Sequence, residues 1–251
     1  MLIDSHCHLL SDDYSNLEEI INNMNNNIMI VSGFNHDSNK EVVELCNKYT
    51  NIYGTIGFHP DSANYFDEIG YKYIESNLCN PKIVGIGEIG LDYYYAKDNE
   101  TLQKDIFIKQ IELANKYNKP IVVHSRDAAL DTFTILEHYN KGSMVDIHCF
   151  SYGIDMAKRF ISIGCKLGIG GVITFKNSVK LQEVIKNIDI KNILLETDSP
   201  YLTPEPFRGK QNQPCNVILV AKKIAEIKKM SIEKVTQITT NNAITQFDLK
   251  L

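Results

Sequence analysis

The stretch Lys119-Pro120-Ile121-Val122-Val123-His124-Ser125-Arg126 follows directly on a segment, Leu102 to Tyr117, in which Ile106, Ile108, Ile111, Leu113 and Ala114 supply an apolar stripe. That spacing predicts an amphipathic helix packed on a sheet. The Lys-Pro pair stops it, because proline has no N–H to donate and biases the residue before it toward extended backbone. The short β-branched run that follows predicts a strand from Ile121 to His124, buried on both faces. Working outward, the same alternation recurs along the chain. Further strands are expected at Leu2 to His6, Ile28 to Ser32, Ile52 to Gly57, Ile83 to Glu88, Met144 to His148, Lys166 to Gly170 and Ile193 to Glu196. Helices are expected at Ser38 to Tyr49, Asp127 to Tyr139, Ile154 to Ile163, Ser178 to Ile188, Asn216 to Lys228 and Ser231 to Asn241. Eight strands alternating with helices describe an α/β chain with a parallel sheet, and a (β/α)8 TIM barrel is the expected closure. Length alone also admits two smaller domains, but no linker or internal repeat interrupts residues 1–251, which favours one. The asparagine-rich run Asn22 to Asn27 falls where a helix must end and a strand begin, and asparagine tolerates the left-handed turns needed there.

Composition narrows the class. The chain has 43% apolar residues, enough for a large core, and a net charge of -5. That charge argues against coating nucleic acid through a broad basic surface. It leaves open an enzyme that grips one or two phosphates with help from bound metal ions, whose local field outweighs the average surface charge. No run of about 18 apolar residues occurs and Met1-Leu2-Ile3-Asp4 lacks a signal peptide's basic flank, so a cytoplasmic location without membrane contact is expected. The six cysteines show no C-x-x-C pair and read as free thiols. Cys7 and Cys149 adjoin histidines, but alternation along a strand assigns both to barrel packing.

Six residues carry the chemistry. His6 and His8 in Asp4-Ser5-His6-Cys7-His8 lie two apart at the end of the first strand and project to one face. Glu88 ends an apolar strand, where a buried carboxylate needs a partner. His124 and His148 end the fifth and sixth strands, and Asp198 follows the eighth. Each alone has an ordinary alternative: a hydrogen-bonded strand histidine pair, an acid meeting water, a turn residue before Ser199-Pro200. In a parallel barrel, however, every strand's C-terminal end reaches the same mouth, so all six converge there. Scattered core or turn residues would place some on helices, as happens with His138.

With those residues and their surroundings in view, the sequence resembles, essentially end to end, the TatD family of metal-dependent deoxyribonucleases, a branch of the amidohydrolase-like barrels. The resemblance is carried by Asp4-Ser5-His6-Cys7-His8-Leu9, Gly57-Phe58-His59-Pro60, Gly87-Glu88-Ile89-Gly90-Leu91-Asp92-Tyr93, Lys119-Pro120 through Arg126, His148-Cys149-Phe150-Ser151 and Glu196-Thr197-Asp198-Ser199-Pro200-Tyr201-Leu202. It continues to Pro206, Arg208-Gly209 and Asn212. It implies that His6, His8 and Asp198 bind one divalent metal, that His124 and His148 bind a second, and that Glu88 bridges them. It implies further a 3'-5' exonuclease on single-stranded or end-processed DNA, with Asp198 and Glu88 catalytic and no obligate protein partner. Zn²⁺, Mn²⁺ and Mg²⁺ all suit these ligand types. Two positions depart from the family's pattern. Tyr152 intervenes before Gly153, a change expected to reshape the mouth, and Gln213 stands where glutamate is common.

Around this centre, His59 is assigned to substrate or leaving-group contact, and Arg126 and Arg208 to phosphate oxygens, with surface salt bridges as their alternative. Tyr93 to Tyr95 offer either a stacking face for a base or loop packing. His36 lies near a strand end without a matching motif and is left out. Three other activities stay in view. Relatives that are D-aminoacyl-tRNA deacylases make ester hydrolysis on the same centre the alternative. Small-substrate amidohydrolases often bridge their metals with a carbamylated lysine, where this chain offers Glu88. A non-catalytic, metal-stabilised binding module is the last, and the full ligand set argues against it.

Overall fold

All eight strands form, and they lie in one parallel sheet in chain order. The computed structural model describes residues 1–251. Its strands are β1 (Ile3–Cys7), β2 (Ile28–Ser32), β3 (Ile52–Ile56), β4 (Ile83–Asp92), β5 (Ile121–Arg126), β6 (Val145–Ile147), β7 (Lys166–Ile169) and β8 (Ile193–Leu195). The helices are α1 (Leu17–Asn22), α2 (His36–Lys48), α3 (Glu68–Asn77), α4 (Glu100–Tyr117), α5 (Ala129–Tyr139), α6 (Ile154–Ser162), α7 (Val179–Asn187), α8 (Val217–Lys228) and α9 (Ile232–Phe247). The sheet returns on itself just past β8. Asp198 N–H donates to the His6 carbonyl at 3.0 Å and His8 N–H to that of Ser199 at 2.7 Å. Below them the Thr197 N–H and hydroxyl donate to the buried Asp4 carboxylate at 2.9 and 2.6 Å. The result is the (β/α)8 TIM barrel.

The barrel is filled in a graded way. One apolar cluster lies inside it, formed by Ile3, Ile28, Ile30, Tyr53, Val84, Val122 and Leu194 with Ala243, Phe247 and Leu249 from the end of the chain. A larger cluster of 52 buried residues, outward-facing ones such as Met29 and Val31 included, packs sheet against helices. Along each strand the period of two then decides what stands above the floor. Ile28 and Ile30 lead to Ser32, Val122 leads to His124, and Leu194 leads to Glu196. The floor is hydrophobic and the mouth polar.

Several boundaries differ from expectation, among them the end of β5 at Arg126 and of β8 at Leu195, and three bear on the site or the floor beneath it. β4 runs four residues beyond Glu88 to Asp92, so Glu88 sits within a strand, at a register shift between Ile86 and Ile89. β6 stops at Ile147, so His148 and Cys149 lie just past it, and Cys149 adopts a left-handed φ of 46°. Strand alternation therefore does not govern Cys149, whose thiol lies in a group with His148 and Glu196. α9 extends to Phe247, six residues past its expected end, and so plugs the floor. The helix α1 ends at Asn22, where the asparagine-rich run requires a helix to end, although its start was not assigned, and α3 was not expected. α1 has six residues, and in α3 only Gly70 and Ile74 are buried, too sparse a stripe to show in the sequence. At the other turns expectation holds: residues 23–26 form a turn with Asn25 at φ 50°, and all six cysteines are free. No helix is long and apolar enough to cross a membrane.

Candidate metal centre

The six polar residues arrive at the mouth from β1, β4, β5, and the ends of β6 and β8, and they meet. Nε2 of His6 and of His8 are 3.2 Å apart. Each faces Asp198 Oδ1, at 3.7 and 3.6 Å. His148 Nε2 approaches the same oxygen at 3.7 Å. Glu88 stands between the two halves and divides its carboxylate. Oε2 faces His6 and His8 at 3.5 and 3.6 Å, whereas Oε1 faces His124 Nδ1 at 2.9 Å and His148 Nε2 at 3.8 Å. The cavity above them has a volume of about 220 Å³ and is lined by His8, His59, Glu88, His124, His148 and Asp198 with Phe34, Asp61 and Tyr201.

The outer hydrogen bonds decide which nitrogen of each imidazole carries a proton. His148 Nδ1 donates to Glu196 Oε2 at 3.2 Å, since a carboxylate only accepts. His8 Nδ1 donates to the Ser32 carbonyl at 3.0 Å. His124 Nε2 donates to Asp92 Oδ2 at 3.0 Å. In the neutral rings the inward nitrogens, Nε2 of His8 and His148 and Nδ1 of His124, are then bare acceptors turned on carboxylate oxygens. Acceptors facing acceptors in a buried space need a cation or a proton between them. The residues present therefore fit divalent metals. Several triads bring their ligand atoms within 4.8 Å of one another, among them His6, His8 and Glu88, then Glu88, His124 and His148, then His6, His148 and Asp198.

Electrostatics give the same answer. Burial alone would raise the Glu88 carboxyl, but His148, His59 and His124 outweigh it and hold the group well below the usual range. Burial likewise opposes ionisation of Asp198, and His148, His8 and His6 bring it down. His124 loses charge stability through burial yet is pushed up to about 9 by Asp92 and Glu88. His6 is lowered, by burial first and by neighbouring His148 second. The centre thus consists of ionised carboxylates facing imidazoles, of which His8, His124 and His148 are raised by those carboxylates and His6 alone is lowered.

Residues that the sequence reading did not single out hold the ligands in place. Ser32 Oγ hydrogen-bonds His6 Nδ1 at 3.1 Å, while its carbonyl holds His8. Asp92 is held low, to about 2, because burial is outweighed by the hydrogen bond from His124 and the N–H groups of Tyr95 and Tyr94. Glu196 also accepts from Cys149 N–H at 2.8 Å. Its carboxylate fills the space beside Gly168, where a Cβ would stand 2.2 Å from Oε2, so that position has no room for a side chain. Buried Asn212 ties down the Asp198 turn by donating to the carbonyls of Thr197 and Tyr201 at 3.0 and 2.7 Å. For Ser32, Asp92 and Glu196 the visible signal is a polar residue ending or directly following an apolar strand, whereas Asn212 lies in a loop.

The remaining candidates sit around the centre. His59 lines the cavity, with Nε2 3.7 Å from Glu88 Oε1 and Nδ1 2.8 Å from Asp61. Neither arginine forms the surface salt bridge that was its alternative. Arg126 lies over the rings of Tyr94 and Tyr95, and Arg208 over that of Phe175, outside the cavity lining. His36 begins α2 and bonds the Tyr65 carbonyl at 3.1 Å, away from the cluster. Tyr152 latches the end of β5, its hydroxyl donating to the Ser125 carbonyl at 2.9 Å and accepting from Ala128 N–H at 3.3 Å. Gln213 opens a short 3-10 turn, Pro214–Asn216.

A TIM barrel whose mouth gathers buried imidazoles around a shared carboxylate has the architecture of a metal-dependent hydrolase. Comparisons with known proteins agree. The family model described as TatD related DNase matches residues 3–248. The chain is 40% identical over 248 residues to an uncharacterised metal-dependent hydrolase of Bacillus subtilis, YabD, covering 97% of each chain. It is 31% identical over 249 residues to a second such hydrolase, YcfH of Escherichia coli, covering 96% of this chain and 93% of that one. Its fold superposes on the crystal structure of YJJV, a TatD homologue from E. coli, with a TM-score of 0.93 at 26% identity, covering 99% and 98% of the two chains. The chain belongs to the TatD family, and is a metal-dependent hydrolase of that family.

Proposed function

We propose that this hydrolase is a deoxyribonuclease that removes nucleotides from the 3' end of single-stranded or end-processed DNA in the cytoplasm. The observation that carries the reading is the division of Glu88, whose two oxygens each face a separate set of imidazoles. His6, His8 and Asp198 would hold one divalent ion, His124 and His148 a second, and Glu88 would serve both. Bound there, such ions supply positive charge for a phosphate oxygen and the leaving oxygen, and lower the pKa of water.

The chain's own residues do the rest. Asp198 Oδ1, already ionised, orients the attacking water and accepts its proton. Glu196, Asp92 and Ser32 keep the imidazoles turned inward. His59 contacts the leaving group, while Arg126 and Arg208 hold neighbouring phosphates. A mouth of about 220 Å³ suits the end of a strand better than a duplex. The family's description as DNase-related and the net charge of -5, which leaves phosphate binding to the centre rather than to a basic surface, support the same reading.

The test is digestion of end-labelled DNA and RNA oligonucleotides with Mg²⁺, Mn²⁺ or Zn²⁺ added. A 5'-labelled DNA strand should shorten stepwise, and a 3' label should be released at once. Excess chelator should abolish both. Undiminished cleavage in chelator, or no cleavage with any metal while D-aminoacyl-tRNA is deacylated by the same preparation, would overturn the reading.

A further inference from the structure

The triplet Tyr93-Tyr94-Tyr95 is divided by the fold. Tyr93 turns inward, and its hydroxyl donates to Asp131 Oδ2 at 2.7 Å. Tyr94 and Tyr95 turn outward and are 51% and 72% exposed, with ring centroids 4.7 Å apart at right angles. The Arg126 guanidinium lies 4.4 and 4.6 Å from those two centroids. It forms no ion pair with a carboxylate, and Asp131, the partner of Tyr93, is engaged by Lys104 at 2.6 Å. One face of the aromatic pair is thus covered by an unneutralised cation, and the rest is open to solvent.

This cluster is fixed to the metal centre. The N–H groups of Tyr94 and Tyr95 donate to Asp92 Oδ1 at 2.8 and 2.7 Å, and the other oxygen of the same carboxylate accepts from His124 Nε2. Arg126 lies two residues beyond His124 on β5, hence on the same face of the strand. We propose that Tyr94, Tyr95 and Arg126 form a subsite beside the centre that stacks one nucleobase on the face of one exposed tyrosine ring, with the other ring at its edge, and holds the adjoining phosphate on the guanidinium. The inference rests on the phosphodiesterase reading above and adds that the substrate is recognised through its bases as planar groups, without regard to their identity. Arg126 keeps all five donors for the phosphate, because its present contacts are with ring faces.

The experiment reads binding rather than turnover. Fluorescein-labelled phosphorothioate oligothymidylate and a base-free sugar-phosphate oligomer of equal length are titrated against the protein as purified, and anisotropy is followed. The oligothymidylate should bind about tenfold more tightly. Tyr94→Ala/Tyr95→Ala should erase that difference, and since both rings are exposed the fold should be kept, as circular dichroism can verify. Arg126→Gln should weaken both oligomers alike and reduce the salt dependence by about one phosphate contact. Equal binding of the two oligomers by the wild-type chain, or a base preference that survives in the double variant, overturns the subsite. A preserved base preference in a wild-type chain that cuts no phosphodiester instead sinks the nuclease reading while the subsite stands.

Discussion

The two ends of this barrel have opposite chemistry. At the N-terminal end, hollows of about 600 and 710 Å³ are bordered by Met1, Asn27, Thr236, Asn51 and their neighbours, with no histidine among them. Polar groups there serve the backbone, as when Asn27 accepts from Leu2 N–H at 2.7 Å, and the apolar floor is closed by Phe247 and Leu249. At the C-terminal end a smaller cavity, about 220 Å³, has four histidines and three acidic residues on its walls. The larger volume carries no chemistry. The difference teaches that in a parallel barrel function follows from where strand ends and βα loops place side chains, while the opposite end supplies stability.

That contrast can be broken most severely at Glu88. Glu88→Ala should remove bound metal from both positions and reduce turnover by about 10³-fold or more, read by elemental analysis and kinetics; two tightly held ions with unchanged turnover would show that the carboxylate bridges nothing. Next in size, Phe247→Ala should cost about 3–5 kcal/mol of stability by opening the floor, a fall of roughly 10 °C in melting temperature. Metal content of the folded protein should stay the same, and its loss would mean that floor and mouth are not separable. Asp92→Asn should weaken metal binding about 10- to 100-fold, because the amide can turn its NH₂ toward His124 and no longer fixes the ring. A metal titration with an unchanged affinity would reduce Asp92 to packing.

The last effect concerns pH. In metal-free protein His124 is raised from 6.5 to about 9, so its contribution to stability is full below about 6.5 and is lost as pH rises through about 9. Asp92 is lowered from 3.8 to about 2, so its contribution is present above about 3.8 and is lost as pH falls through about 2. In the proposed centre, metal binding would require the bare Nδ1 of His124 and would displace that proton. Affinity should therefore increase with pH, by about tenfold per unit between about 6.5 and 9 for one competing proton. A flat affinity across this window, measured by calorimetry, would remove His124 from the ligand set.

Much of this is legible in the sequence. The eight apolar runs announced eight strands because a strand covered on both faces has to be apolar throughout, and Pro120 marked a boundary by its chemistry. His6, His8, His124 and Asp198 were visible since each interrupts or follows such a run. Glu88 is legible as a candidate, but not its place at a register shift within a strand, because such a shift depends on the neighbouring strand. Ser32, Asp92 and Glu196 escaped notice as supports, since what they do depends on a histidine from another strand.

The sequence by itself determined the alternation of strand and helix, and with it the end of the barrel at which its ionisable residues gather, because those are consequences of local periodicity and of strand direction. Only the tertiary structure decided which oxygen of Glu88 faces which imidazole, which ring nitrogen keeps its proton, and that the last turns of α9 seal the floor. Those features arise from contacts between residues far apart along the chain, for which local pattern holds no information.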